Sequence, residues 1–511
     1  MAEPTGKVVV IGAGMGGLST AIRLAHAGLN VHVVDRAPVP GGKMRTMATD
    51  AGPVDAGPTV MTLRPVFEEL FESTGARLTD YVTLHRETVL ARHWWHDGSS
   101  LDLFADAQAS EDAVGAFAGA RAMREFRAFC ARAQRLYEAF EGPMMKAITP
   151  SQGALTRHVL THPRLILDMA PHRTLAQSLG AQFSDPRLAQ LFGRYATYVG
   201  GSPFRSPAIL GLIWHAEAQG VWRVEGGMHK LARALERLAR DKGAALTFGN
   251  GAARIETRDG KARAVHLEDG TRLRADIVVF NGDPAALGAG LLGEDMRDTL
   301  PRDATHPRSL SAYVWSYAAR PKGPDLVHHN VFFCDDPHTE FDPIARGHMP
   351  EDGTLYICAQ DRGSGKMPQG LERFEIIMNG PPMADGTQAT DEEKETCRTR
   401  TFETLARFGL TFDPTPGTEW LTTPRHFARL FPASEGSLYG RSPHGLTASL
   451  KKPTARTRVA GLYLAGGGAH PGAGIPMATL SGRHAAEAIL TDLASTSTSR
   501  PTATRGGMST A

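Results

Sequence analysis

The sequence predicts an α/β fold, a doubly wound parallel sheet whose strands are separated along the chain by inserted segments. Three observations carry this. First, Lys7 to Ile11 is a short apolar strand, followed by Gly12-Ala13-Gly14-Met15-Gly16-Gly17, a helix pattern through Leu18, Ile22 and Leu24, and a second strand from Asn30 to Asp35. Strand, helix and strand in so short a span make a βαβ unit, which requires a parallel sheet. Second, the apolar stretch Gly461 to Ala465 opens another glycine-rich loop near the far end. Third, an amphipathic helix from Met228 to Lys242 leads into strands at Ala245–Phe248, Ala252–Ile255, Ala262–Leu267 and Asp276–Phe280. Elements of one sheet therefore recur at the start, in the middle and near the end.

The first motif is a phosphate cradle. In G-x-G-x-x-G the first glycine, Gly12, allows a tight turn. The second, Gly14, lets backbone N–H groups approach a pyrophosphate, and the third, Gly17, lets the helix pack on the strand. The helix N-terminus adds its partial positive charge. Asp35 ends the second strand about 20 residues on, where a carboxylate accepts the hydroxyls of an adenosine ribose. Strand, motif, helix, strand and acid together predict a Rossmann-like dinucleotide-binding domain.

Bulk properties narrow the rest. A chain of 511 residues is expected to hold two or three domains. Its net charge of +2, with arginines spread along the chain, gives no reason to expect nucleic acid. Cys130, Cys334, Cys358 and Cys397 form no C-x-x-C pair, so free thiols in a reducing cytoplasm are expected and no metal site. Glycines interrupt the apolar run from Val8 to Ile22, so it is not a signal segment. No stretch reaches the roughly 18 uninterrupted apolar residues of a membrane span. A cytoplasmic or peripherally attached protein is expected.

Residues 1–90, 221–300 and 455–493 are assigned to the discontinuous nucleotide domain. A largely helical cap is expected over 91–220, an inserted α+β substrate domain over 301–454, and a disordered Ser/Thr-rich tail over 494–511.

Further segments resemble a known family. Asp35-Arg36 followed by Gly41-Gly42-Lys43 is similar to the extension in the FAD-dependent amine oxidase and carotenoid desaturase superfamily. Asp55-Ala56-Gly57-Pro58-Thr59 resembles its segment beside the flavin ring, with Asp where many members carry Glu. Val224-Glu225-Gly226-Gly227-Met228 resembles the step by which the superfamily re-enters the FAD domain, and Ala252 lies where a backbone group meets the adenine. The run from Gly461 through Gly468-Ala469-His470-Pro471-Gly472-Ala473-Gly474-Ile475-Pro476 resembles the C-terminal signature of bacterial phytoene-type desaturases. The wording D-A-G-P-T-V-M-T and A-H-P-G-A-G-I-P-M leans toward the hydroxycarotenoid 3,4-desaturases of the hydroxyneurosporene or methoxyneurosporene type.

The resemblance implies FAD as cofactor, held by Gly12, Gly14, Gly17, Asp35, Arg36, Gly42, Lys43, Gly57, Pro58, Thr59, Ala252, Gly468, Ala469, Gly474, Ile475 and Pro476. It implies hydride transfer to flavin from an acyclic carotenoid, 1-hydroxylated and desaturated at the 3,4 bond. The electron acceptor stays open. Glu225, His229 and His470 are the candidate acid/base residues, with a cofactor-positioning role favoured for His470. An apolar substrate tunnel is expected, with Phe192, Tyr195, Tyr198, Ile209, Leu212, Ile213, Trp214, Tyr313, Trp315 and Tyr317 as its lining or as ordinary core. The stretch 144–179 mixes apolar residues with Lys146, Arg157, Arg164 and Arg173, a composition that suits contact with a membrane surface. The rival readings are a general phytoene or neurosporene desaturase, a flavin amine oxidase or protoporphyrinogen-oxidase-like enzyme, and a non-catalytic prenyl-lipid carrier.

Overall fold

The computed structural model describes residues 6–363, 365, 368–383 and 387–498. Its parallel sheet has five strands in the order Leu462–Leu464, Ile277–Phe280, Lys7–Ile11, Asn30–Asp35 and Ala245–Phe248. Val10 lies opposite Val33 on one side and Val279 on the other. Strands covered on both faces read as unbroken apolar runs. That is why Val8, Val9 and Val10, and Val278 and Val279, are all buried at its centre.

Alternate side chains enter two cores. Val8, Val10 and Val33 pack with Leu18, Ile22, Leu235, Leu238, Ala485 and Ile489, from the helices Met15–His26, His229–Asp241 and Ile475–Thr498. Val9, Ile11, Val34 and Val278 pack with Ile255 and Val265. The second face is thus covered by a three-stranded antiparallel sheet, Ala252–Arg258, Lys261–Leu267 and Arg272–Arg274, instead of by helices. Those strands were expected to return to the nucleotide domain, and they do so as its cover.

An eight-stranded mixed sheet forms the second body. Its order is Thr411–Asp413, Ser311–Lys322, Glu372–Gly380, Leu355–Ala359, His329–Phe332, Val89–Trp94 and Ser100–Phe104, with Leu421–Thr422 also on Ser311–Lys322. Residues 89–104 therefore correct the expected boundary. They lead the helical segment in sequence, yet Val331 pairs with His93 and draws them into this sheet.

Helices follow at Ala107–Phe140, broken at Gly119 (φ 87°), and at Gln152–Thr161, Pro163–Met169, Leu175–Gln182 and Pro186–Gly193. Pro163 and Pro186 open their helices, where a missing N–H is harmless. The last helix runs to Thr498, so the start of the expected tail is helical. Residues 499–511 lie outside the described residues. Among the described residues, no helix is long and apolar enough to cross a membrane.

Candidate functional site

Three glycine segments meet at one point. Gly12 turns at φ 101° and donates its amide to Val34 O at 2.8 Å. The Gly41 amide donates to Ala13 O at 2.9 Å, laying Gly41-Gly42 against the first loop. A Cβ on Gly42 would stand 3.4 Å from Gly14 Cα. A Cβ on Gly16 would stand 2.5 Å from the Gly466 amide nitrogen, and one on Gly17 would stand 2.1 Å from Gly12 O. The two motifs, far apart in sequence, thus touch backbone to backbone. Asn281 ties them together: its Nδ2 donates to Gly12 O at 3.1 Å, and its side chain abuts Gly466. Asn281 carries no sequence signal, because an Asn in a turn has no distinguishing pattern.

Two helix N-termini open into this junction. Gly14 precedes Met15–His26 with no side-chain cap, and Gly474 (φ 100°) precedes Ile475–Thr498. Uncapped first-turn N–H groups and the positive end of the helix suit phosphate.

Asp35 accepts the Ala13 amide on one oxygen at 2.7 Å and the Ala37 amide on the other at 2.8 Å. A carboxylate offers about four acceptor positions, so room for hydroxyls remains. Burial raises its pKa, partly countered by those two amides and by Arg36. Arg36 itself donates to the Leu430 carbonyl, at the end of the helix Pro424–Leu430. Lys43 donates to Leu438 O at 2.5 Å and lies 5.3 Å from the Phe431 ring. Burial lowers its pKa to about 8, with Asp283 opposing. Ala252 begins the covering sheet opposite Leu267.

Asp55 is buried and caps the helix His229–Asp241, accepting the Met228 amide at 2.6 Å and the His229 amide at 3.1 Å. Its backbone pairs with the Gln360 side chain at 3.0 and 3.1 Å. A Cβ on Gly57 would stand 2.0 Å from Lys43 O, so residues 55–59 lie tightly along that segment. Gly466 donates to Ser481 Oγ at 2.6 Å, fixing the second loop to its own helix. Gly468 packs against Pro284, and the Ala469 side chain is buried in the sheet core.

The three acid/base candidates fall elsewhere. Glu225 is exposed and pairs with His85 at 2.9 Å, on a surface ribbon. His229 meets Pro40 O through Nε2 at 2.9 Å and thereby pins the Gly41-Gly42 turn. His470 is buried, meets Ala147 O through Nε2 at 2.8 Å, and stacks on His484 at 5.3 Å. Burial lowers its pKa, with Lys452 adding to the effect and the Ala147 bond opposing. None of the three is among the residues that line the cavity described next.

A cavity of about 640 Å³ reaches the junction. Pro58 and Thr59 from the first segment and Gly474, Ile475 and Pro476 from the second motif line one part of it. Trp95, Phe204, Phe333, Phe341 and Ile377 make much of the remaining wall. Asp97 and Asp335, both exposed, mark where it opens to solvent. Of the aromatic residues proposed for a tunnel, only Tyr198 lines it. Phe192, Tyr195 and Trp214 pack with Phe126 and Phe129 in a core beneath the helices. Tyr313, Trp315 and Tyr317 pack with Phe374 and Phe412 in another core of the large sheet. Leu212 is buried in a further cluster, with Ile209 and Ile213 packed against it. Aromatic content alone does not tell a cavity wall from a core.

Two buried groups near the site carry no sequence signal. Glu375 is fully buried, and burial drives its pKa far up, helped by Asp55 and opposed by Arg45, Thr59 and the Gly57 amide. His328, His329 and Cys358 bring one ring nitrogen or sulfur each within 4.8 Å of one another. His328 Nδ1 meets Arg362 O at 3.1 Å and its Nε2 faces Cys358 Sγ at 3.6 Å, while His329 Nδ1 meets Tyr356 OH at 2.7 Å.

The junction fits FAD. It presents two helix N-termini and glycine backbones for the pyrophosphate, a strand-end carboxylate for the ribose, and a cavity beside residues 58–59 for the reacting end. Comparisons with known proteins agree. The family model described as flavin containing amine oxidoreductase matches residues 15–316. The chain is 60% identical to the hydroxyneurosporene desaturase of Cereibacter sphaeroides, covering 96% of this chain and 99% of that one. It is 50% identical to the hydroxyneurosporene desaturase of Rhodobacter capsulatus, covering 95% and 98%. An oxidoreductase of known structure from Methanosarcina mazei shares the fold at 18% identity, with a TM-score of 0.54 over 94% of this chain and 100% of that one. The glycine junction and its apolar cavity are thus those of an FAD-dependent oxidoreductase, and the chain belongs to the flavin containing amine oxidoreductase family, among its carotenoid desaturases.

Proposed function

We infer that this protein is an FAD-dependent carotenoid desaturase acting on a CH–CH bond of an acyclic, 1-hydroxylated carotenoid, forming the 3,4 double bond. One observation carries the reading: the largely apolar cavity whose wall includes Pro58, Thr59, Gly474, Ile475 and Pro476, residues that we assign to the cofactor's surroundings. A long hydrocarbon lying there has its end against the cofactor and is shielded from water. FAD, when bound, supplies the acceptor for the hydride. The chain's own part is to position and to exclude. Asp55 fixes Gly57 to Thr59 relative to the helix His229–Asp241, and Ser481 fixes the Gly466 loop relative to its helix.

Such a substrate resides in a membrane, and we propose that the helices Gln152–Thr161 and Pro163–Met169 rest on the lipid surface. Leu160 is 65% exposed and Leu167 80%, with Ile166 also exposed and Arg157 and Arg164 nearby in sequence. Apolar residues set among cations suit an interfacial helix.

The test is anaerobic turnover in liposomes holding neurosporene or 1-hydroxyneurosporene, with FAD supplied and product spectra recorded. A red-shifted polyene from the hydroxylated carotenoid supports the 3,4-desaturase reading. Conversion of neurosporene or phytoene instead moves the protein to general desaturation. No bound flavin and no spectral change overturns the reading.

A further inference from the structure

Two arginines line the hydrocarbon cavity: Arg187, which is paired with Asp185 and Asp97, and Arg194, which among the described residues has no carboxylate within ion-pair distance. Arg194 follows the helix Pro186–Gly193 and lines the cavity together with Tyr198, Thr59 and Tyr356. It is partly buried. Its guanidinium lies 5.5 Å from the Tyr195 ring and 5.2 Å from the Tyr198 ring. Among the described residues its one hydrogen bond is Nη1 to Tyr198 OH, at 3.3 Å. Nε is buried with no partner.

The countercharge stands one step behind. Tyr195 OH donates to Glu217 Oε1 at 2.8 Å, and Tyr198 OH donates to Glu217 Oε2 at 2.6 Å. Both phenol protons are thereby committed to Glu217, and the Tyr198 oxygen presents its lone pairs to Arg194. Burial works against the arginine's charge, and the Glu217 carboxylate and the hydrogen bond to Tyr198 support it. On another side, burial, with Arg194 adding its repulsion, keeps His329 and His93 neutral, so they bring no further charge. His329 Nδ1 meets Tyr356 OH, which meets Thr59 Oγ1 at 2.8 Å. Arg194 thus shares the cavity with Tyr356 and with Thr59, which we assign to the cofactor segment.

A charged group with unspent donors in an apolar cavity is costly unless a ligand takes them. A hydrocarbon has nothing to accept with; an alcohol oxygen does. We propose that Arg194, held by Tyr198 and Glu217, donates to the oxygen of the substrate's terminal hydroxyl and so selects hydroxylated carotenoids. This rests on the desaturase reading and assigns its specificity to named residues. The 1-hydroxyl lies two carbons from the 3,4 bond, so an anchor at Arg194 also sets which bond faces the cofactor. Tyr356, on the same cavity, offers an acceptor for the hydroxyl's own proton.

The experiment measures kcat/KM for 1-hydroxyneurosporene and for neurosporene, with bound FAD quantified, in wild type, Arg194→Gln and Tyr198→Phe. Wild type is expected to prefer the hydroxylated substrate by at least roughly 100-fold, since a site built to bond a hydroxyl rejects the analogue lacking it. Arg194→Gln is expected to lose about 10- to 100-fold on the hydroxylated substrate, largely in KM, bringing the ratio toward one. Tyr198→Phe moves the ratio the same way by less, and it decides the matter if Arg194→Gln fails to fold. Equal proportional losses on both substrates, with FAD retained, overturn the clamp. A wild type active on both without preference overturns the clamp and leaves the desaturase reading standing. A wild type inactive on both overturns that reading and the clamp with it.

Discussion

Asp55 accepts the Met228 amide at 2.6 Å across 173 residues of chain. One carboxylate thereby joins the segment 55–59, which we assign to the flavin, to the helix His229–Asp241. Removing it leaves two buried amides without acceptors, at about 1–3 kcal/mol. Asp55→Ala is expected to lower the thermal midpoint and to speed FAD release. Gly227→Ala should act likewise, because its Cβ would stand 2.7 Å from Asp55 Oδ2 and its φ is 100°. Differential scanning calorimetry and flavin fluorescence on dilution report both effects. Unchanged release from Asp55→Ala would show that the cap does not position the cofactor segment.

The contact of Gly16 with Gly466 gives a sharper expectation. Alanine at position 16 must separate two backbones, since its Cβ would stand 2.5 Å from Gly466 N and 2.7 Å from Gly466 Cα. Overpacking of this kind costs about 1–3 kcal/mol. Gly16→Ala is expected to purify as a folded chain with little flavin, read as the ratio of 450 nm to 280 nm absorbance. A full flavin complement would contradict the convergence of the two loops.

His470 contacts Ala147 O and stacks on His484, and we propose that it positions the second glycine loop without transferring a proton. A general acid or base contributes about 100-fold or more to rate. His470→Gln is therefore expected to lower flavin occupancy while kcat per bound flavin changes by no more than roughly 3-fold. A drop of about 100-fold per bound flavin would make it a catalytic group.

Stability should fall on acidification. Burial, with His470 and Arg483 adding to it, lowers the His484 pKa to about 4, and burial lowers those of His328 and His444 to about 4 as well. Unfolded histidines protonate near 6.5, so between about 6.5 and 4 the unfolded chain binds more protons than the folded one. Protonation then favours unfolding, and stability is lost as pH drops through that window. His484→Phe is expected to flatten the slope of thermal midpoint against pH between 7.5 and 5. A slope parallel to wild type would mean that His484 does not titrate in this way.

Membrane contact is testable apart from catalysis. Each fully buried Leu side chain contributes about 1.5–3 kcal/mol. Leu160→Ser with Leu167→Ser is expected to weaken liposome partitioning by about tenfold or more. Charge reversal at Arg157 and Arg164 should weaken binding to anionic vesicles and flatten its salt dependence. Unchanged sedimentation with vesicles would place the lipid-facing surface elsewhere.

The sequence by itself determined the parallel core, both glycine motifs, the strand-end Asp35 and the helix after Gly226-Gly227. Each is written in a few adjacent residues: apolar runs for doubly covered strands, positive φ that only glycine adopts cheaply, and a helical apolar period. Residues 89–104 were misassigned because their partner strand, His329–Phe332, lies more than 200 residues on. Only the tertiary structure placed Gly16 against Gly466, Asp55 beneath Met228, and Asn281 between the loops. It also decided that Phe192 and Trp315 belong to cores while Tyr198 faces the cavity. A side chain's local pattern records whether it is buried, whereas the residues it meets depend on how distant segments pack. That is why the glycine junction was legible in the motifs and the Arg194–Tyr198–Glu217 cluster was not.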